Sequence, residues 1–129
     1  MTKQTRILAV DDEPIIGESI AYNLEASHRQ ICVATNGREA LNMACEQDFD
    51  LVITDLSMPN GGGLELVREL RQRNFNGKIV VLSGHLSPTD MAAYQELQID
   101  EVIDKPCIMQ ELREIVTDLE SSVEPSPTE

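Results

Sequence analysis

The stretch Ile7-Leu8-Ala9-Val10-Asp11-Asp12-Glu13-Pro14-Ile15-Ile16 decides how the rest of the chain is read. Four apolar residues in a row, without polar alternation, describe a strand covered on both faces, as in a parallel sheet. The run ends abruptly in three acids. Pro14 then stands where a first helical turn begins, a place that tolerates its missing N–H. Ile16, Ile20 and Leu24 repeat at helical spacing behind it.

The same alternation recurs along the chain. Ile31-Cys32-Val33-Ala34, Leu51-Val52-Ile53 and Ile79-Val80-Val81-Leu82 are further continuous runs, with a weaker fifth at Val102-Ile103. Apolar stripes at helical spacing separate or follow them: Ala40, Leu41, Ala44 and Cys45; Leu64, Val67 and Leu70; Met91, Tyr94 and Leu97, opened by Ser87-Pro88; and Ile108, Leu112, Ile115, Val116 and Leu119. Successive strand–helix units predict an α/β fold, a doubly wound five-stranded parallel sheet with helices on both faces, because such crossovers are right-handed. The domain is expected over residues 1–120. Residues 121–129, with Pro125 and Pro127, read as a disordered acidic tail or the start of a linker.

Composition narrows the function. The chain has 129 residues, enough for one domain, and 10 Lys and Arg against 23 Asp and Glu give a formal charge of −13. That balance opposes direct binding of nucleic acid, which needs cations against phosphates, and docking on anionic lipid. No apolar run approaches the roughly 20 residues of a membrane span, and residues 1–6 lack the apolar stretch of a signal peptide. Three cysteines without CxxC spacing speak against a disulfide framework or a cysteine zinc site and for a reducing cytoplasm. They read as small core residues, Cys45 on its stripe most clearly. With no Trp, two Tyr and two Phe, there is little to stack a flavin or a base.

Ligands of open α/β sheets bind outside the carboxyl ends of the strands. Asp11, Asp12 and Glu13 follow the first run, Thr54 and Asp55 the third, Ser83 and Gly84 the fourth, and Asp104, Lys105 and Pro106 the fifth. Each alone has an ordinary explanation: acids cap helices, Asp and Ser form turns, and lysines are exposed. Together they make a different case. Three neighbouring carboxylates in a partly dry site repel one another and stay ionised only beside cations. Lys105 supplies one fixed charge, and a hard divalent ion such as Mg2+ suits the carboxylates. His85 is the only softer ligand nearby, so softer metals are poorly served.

These residues in this order resemble the receiver domain of two-component response regulators, of the single-domain, chemotaxis-regulator-like kind. The resemblance rests on Asp11-Asp12, on Asp55-Leu56-Ser57-Met58-Pro59 followed by Gly63-Leu64-Glu65-Leu66, on Ser83 with the small Gly84 behind it, and on Lys105-Pro106. It covers roughly residues 5 to 120. It implies a flavodoxin-like sheet of strand order 2-1-3-4-5. It implies that Asp55 is the nucleophile that takes a phosphoryl group from the phosphohistidine of a sensor histidine kinase or phosphotransfer protein. Asp12, Asp55 and the Ser57 carbonyl would ligate Mg2+ directly, with Asp11 acting through water. Lys105 would pair with Asp55 and then with a phosphoryl oxygen, and Ser83 would turn its hydroxyl to the phosphoryl group and draw its loop inward. The Lys105-Pro106 bond would be cis. The domain would be a cytoplasmic signalling switch that catalyses only its own phosphorylation and dephosphorylation.

Several positions depart from the family pattern. Val102 stands where an inward-turning Tyr or Phe is usual, so the motion of Ser83 needs other packing to be read out. Cys107 replaces a common Phe, Gly61-Gly62 replaces a usual Met-Asp, and Gln98 lies near the place of a common Gly. Ser57 and His85 occupy positions that tune phosphoryl lifetime in the family. His85 is expected over the site, limiting access of hydrolytic water; otherwise it is an exposed loop residue. His28 reads as an ordinary loop residue.

Two other functions use similar parts. An Asp-nucleophile phosphatase of the haloacid dehalogenase type needs an Asp-x-Asp pattern and a cap domain. A pseudo-receiver keeps the fold as a binding module and usually loses the acids kept here. A flavodoxin-like flavin carrier needs a hydroxyl-rich loop where this chain has acids, and no GxxxxGK[ST] loop exists for a nucleotide hydrolase. The charge is also unevenly spread: residues 88–120 hold 9 acids and 2 bases, Lys105 and Arg113. These residues form the expected face of fourth helix, fifth strand and fifth helix, on which a downstream protein would dock. Its charge disfavours a symmetric dimer and favours a basic partner.

Overall fold

A computed structural model describes residues 4–56, 62–83, 92, 95–104 and 109–123. The elements run β1 (Thr5–Val10), α1 (Pro14–Leu24), β2 (Arg29–Ala34), α2 (Gly37–Glu46), β3 (Leu51–Asp55), α3 (Gly62–Gln72), β4 (Lys78–Ser83), β5 (Glu101–Asp104) and a C-terminal helix (Met109–Val123). All strand pairs are parallel and the order is β2-β1-β3-β4-β5, so the sheet is the doubly wound, flavodoxin-like one expected.

Alternate residues of the central strands feed two cores. Ile7, Ala9, Leu51, Ile53, Val80 and Leu82 pack with Ile20 and Leu24 of α1 and with Leu112, Val116 and Leu119 of the C-terminal helix. Leu8, Val10, Val52, Ile79 and Val81 pack with Ala40 of α2 and Leu66, Val67 and Leu70 of α3. Both faces of β1, β3 and β4 are therefore covered, which explains their unbroken apolar runs. β2, at one edge of the sheet, is mostly half-buried.

Three local readings change. The buried stripe of α3 is Leu66, Val67 and Leu70, with Leu64 only half-buried. Cys45 is exposed rather than in the core: Ala40 is buried and Leu41 and Ala44 half-buried, and the next residue turns about 100° away, where Sγ accepts a bond from Arg73 Nη1 at 3.1 Å. The C-terminal helix continues to Val123, so residues 121–123 belong to the helix and not to the tail. Most of the expected fourth helix, and residues 124–129, lie outside the described residues.

Arg71, at the end of α3, ties the loops of the amino edge together. Its guanidinium donates to the carbonyls of Phe75 at 2.9 Å, Gly77 at 3.3 Å, Leu97 at 3.1 Å and Gln98 at 2.6 Å. Gln98 takes φ 59°, the left-handed conformation that a glycine adopts freely.

Candidate functional site

β1 and β3 are neighbours in the middle of the sheet. Val10 pairs with Thr54, so Asp11 and Asp55 emerge side by side where the strands end. Carboxylate oxygens of Asp11, Asp12 and Asp55 all lie within 4.8 Å of one another. Asp11 and Asp55 are buried, and Asp12 is exposed and opens the cluster to solvent. The Asp11 amide donates to the Ala34 carbonyl at 3.1 Å, and Asp11 Oδ1 accepts the Glu13 amide at 2.9 Å. Those two bonds fix Asp11 while the chain turns into α1.

The other side of β3 is equally constrained. Asp55 pairs with Leu82, which brings the buried Ser83 to the same edge one residue further on, beside Asp104 of β5. The Thr54 hydroxyl donates to the Asp55 carbonyl at 3.1 Å. Gly63, in the first turn of α3, donates to the Leu56 carbonyl at 3.1 Å, and a Cβ at Gly63 would collide with the Asp55 carbonyl oxygen. α3 thus begins directly against the backbone of the central carboxylate, and only glycine permits that approach.

The donors gathered here are carboxylate oxygens. They suit a hard divalent cation such as Mg2+, whose charge offsets their mutual repulsion. Of the residues expected at the site, Asp11, Asp12 and Asp55 come together and Ser83 stands at the adjoining strand end. Val102 is half-buried within β5, opposite Val81. Ser57, His85, Lys105 and the Lys105-Pro106 bond lie outside the described residues.

At the opposite edge of the sheet is a cluster that sequence reading missed. Arg29, at the start of β2, grips Glu120 of the C-terminal helix with Nε at 2.8 Å from Oε2 and Nη2 at 2.9 Å from Oε1, while Nη1 donates to the Leu24 carbonyl at 3.0 Å. His28 Nε2 lies 3.1 Å from the same Oε2. Hydrogen bonding from Arg29, with further bonds from Thr5 and His28 and against the effect of burial, lowers the Glu120 carboxyl to about 2 from the ordinary 4.5. The Arg29 guanidinium is raised in turn, mainly by its bond to Glu120. The partners are 91 residues apart in sequence, so no local pattern announces them.

The receiver domain model of response regulators matches residues 7–117. The chain belongs to the response regulator receiver domain family. This receiver is 36% identical over 119 residues to a probable transcriptional regulatory protein of Picosynechococcus, covering 87% of this chain and 47% of that protein. It is 35% identical over 101 residues to the alkaline phosphatase synthesis transcriptional regulatory protein PhoP of Bacillus subtilis, covering 78% and 42%. The chain therefore spans about half the length of the curated relatives it matches. Among solved structures, the response regulator TrrA of Thermotoga maritima in complex with Mg2+ and BeF superposes with a TM-score of 0.79 at 35% identity, covering 90% of this chain and 99% of that one. The chemotaxis protein CheY4 of Vibrio cholerae gives 0.82 at 26%, covering 90% and 98%. Receiver domains of this family bind Mg2+ at an acidic pocket and act in two-component systems with histidine kinases and downstream effectors. No helix among the described residues is long and apolar enough to cross a membrane.

Proposed function

We propose that this receiver is a phosphorylation-dependent switch in which Asp55 accepts a phosphoryl group from the phosphohistidine of a sensor kinase or phosphotransfer protein. The observation that carries the reading is the convergence of Asp11, Asp12 and Asp55 at the end of the central strands, with Ser83 at the next strand end. A carboxylate oxygen of Asp55 attacks phosphorus, the bond to the donor imidazole breaks, and an acyl phosphate forms. Positioning and charge neutralisation supply most of the rate in such transfers. Asp12, Asp55 and the Ser57 carbonyl would hold Mg2+, with Asp11 acting through water. The bound ion neutralises charge on the transferring oxygens. Lys105 pairs with Asp55 at rest and with a phosphoryl oxygen afterwards. The Ser83 hydroxyl donates to the phosphoryl group, which draws its loop inward and alters the face of fourth helix, β5 and C-terminal helix where a downstream protein docks. His85 limits access of hydrolytic water. Residues 1–123 form the switch.

The test is incubation with Mg2+ and acetyl phosphate followed by intact-mass measurement. One added phosphoryl group is expected, and Asp55→Asn abolishes it. An unlabelled parent protein refutes the switch and favours a binding module that keeps only the fold. Turnover of many phosphoesters refutes it in favour of a phosphatase.

A further inference from the structure

The two edges of the sheet are built differently. β5 is short, four residues with Glu101 and Asp104 at its ends. Brevity and charge of this kind keep an edge from pairing with another strand. β2 is six residues long, and from Gln30 to Ala34 it carries neither charge nor proline. Its one cation, Arg29, is held by Glu120. The direction of its backbone groups follows from two bonds to β1. The Thr5 amide donates to the His28 carbonyl at 2.9 Å and the Asp11 amide to the Ala34 carbonyl at 3.1 Å, so residues 28, 30, 32 and 34 turn toward β1. Residues 29, 31, 33 and 35 therefore turn outward. The chain closes this outward row at both ends. The Arg29 amide donates to the Ala26 carbonyl at 3.0 Å, and the Thr35 amide donates to Glu39 Oε1 at 2.8 Å. In the middle the row is open: among the described residues, none bonds the N–H or carbonyl of Ile31 or Val33. Ile31, Cys32 and Val33 are only half-buried, so the edge can be reached.

We propose that β2 is the interface of a two-fold dimer, in which a second copy of this chain lays its own β2 antiparallel beside the first. With the axis at Cys32, Ile31 of each copy faces Val33 of the other, and each such pair exchanges two N–H···O bonds. The four backbone groups left open on one copy are thus met by the same four on the other, and two five-stranded sheets become one. Cys32 faces Cys32 of the second copy as the pair without backbone bonds. Charge favours this edge for a second copy. Two chains of formal charge −13 repel each other, so they meet best along an uncharged strip. Gln30 to Ala34 supplies that strip, whereas two-fold pairing of β5 brings Glu101 of one copy beside Asp104 of the other. The dimer lies outside the switch proposed above and needs no phosphoryl group. Pairing can fail while Asp55 still labels, or succeed while Asp55 does not.

The test uses the full, unphosphorylated chain. Residue-resolved hydrogen exchange is followed from about 20 µM to about 1 mM beside sedimentation, since mass action governs a dimer. The Ile31 and Val33 amides are expected to slow by about tenfold or more as concentration rises. The Gln30 and Cys32 amides, which face β1, are expected to change by less than about twofold. Added salt is expected to strengthen association, because it screens the repulsion between copies. A Cys45→Ser/Cys107→Ser variant leaves Cys32 as the one thiol. Its Cα lies about 4.5 Å from its counterpart in such a pair, within the roughly 4.4–6.8 Å of a disulfide. Diamide, which takes up the two thiol hydrogens, is therefore expected to link two copies, and a reductant to release them. A monomer whose Ile31 and Val33 amides exchange fast at every concentration would overturn the proposal. So would slow exchange that is independent of concentration, which means that the chain covers its own edge. A dimer in which these amides stay fast, or one that diamide leaves unlinked, would overturn it as well.

Discussion

Glu120→Gln isolates the clamp between β2 and the C-terminal helix. In the folded protein the Glu120 carboxyl is lowered to about 2 from 4.5, chiefly by hydrogen bonding from Arg29. Fully converted, that difference corresponds to about 3 kcal/mol of folding stability. The pair sits near the surface, with the Arg29 and Glu120 side chains 11% and 18% exposed, so screening by water reduces the expected value to about 1–2 kcal/mol. The sign follows from the lowered value: the unfolded state binds the proton more readily, so the stabilisation is present above pH 4.5 and is lost as pH falls toward 2. Urea denaturation followed by far-UV circular dichroism suits a chain without Trp. The parent is expected to exceed Glu120→Gln by about 1–2 kcal/mol at pH 7. The gap closes through that window, because a protonated Glu120 resembles Gln. The remaining 22 acids titrate in both proteins, and their effect cancels in the difference. A gap that stays constant down to pH 2, or one that widens on acidification, would refute the reasoning.

Three further outcomes follow from the geometry. Ile15 is 74% exposed and lies one residue inside α1, next to the acidic turn; if Asp55 is the acceptor proposed above, Ile15→Asp should slow transfer from a phosphohistidine protein by about tenfold or more and leave labelling by acetyl phosphate nearly unchanged. A methyl group at Gly63 meets the Asp55 carbonyl oxygen, so Gly63→Ala should destabilise the fold by about 1–3 kcal/mol in urea. Gln98 adopts φ 59°, and Gln98→Gly should be neutral or stabilising by up to about 1 kcal/mol, since the Arg71 bond goes to its backbone carbonyl.

The sheet was legible because its central strands are buried on both faces, which makes each an unbroken apolar run, and because Pro14 marks where a helix begins. The carboxylate cluster was legible for a related reason: in a parallel sheet all strands end at one edge, so acids that follow separate runs must meet. What escaped depends on contacts across the sequence or on a single turn of helix. Leu64 and Leu66 both match an apolar stripe, and only the packing of α3 on β3 and β4 selects Leu66. Cys45 was misplaced because a stripe four residues wide says little about which margin is covered. The C-terminal helix is described to Val123, beyond Leu119 where its apolar pattern ends. The clamp joins Arg29 to Glu120 across nearly the whole chain, and neither residue is unusual where it stands.

The distribution of bases explains why a charge of −13 is felt outward. Arg29 is bound to Glu120, Arg71 to four backbone carbonyls, Arg113 to Asn23, Arg73 to Cys45, Arg6 to Gln47 and Lys78 to Asp100. Most of these contacts gather at the amino edge of the sheet or along the inner flank of the C-terminal helix. Cations committed to such contacts are not free to screen acids elsewhere. Two groups of carboxylates differ in their setting: at the carboxyl edge Asp11 and Asp55 are buried and only Asp12 is exposed, whereas Glu111, Glu114 and Asp118 of the C-terminal helix are all exposed. They differ in what neutralises them. At the carboxyl edge, three carboxylates converge within 4.8 Å, a geometry that a compact divalent ion satisfies. Along the C-terminal helix, Glu111, Glu114 and Asp118 are spread over about two turns, a spacing that a single ion cannot bridge. The same excess of charge is therefore gathered tightly enough for one compact cation at the first place and is dispersed at the second.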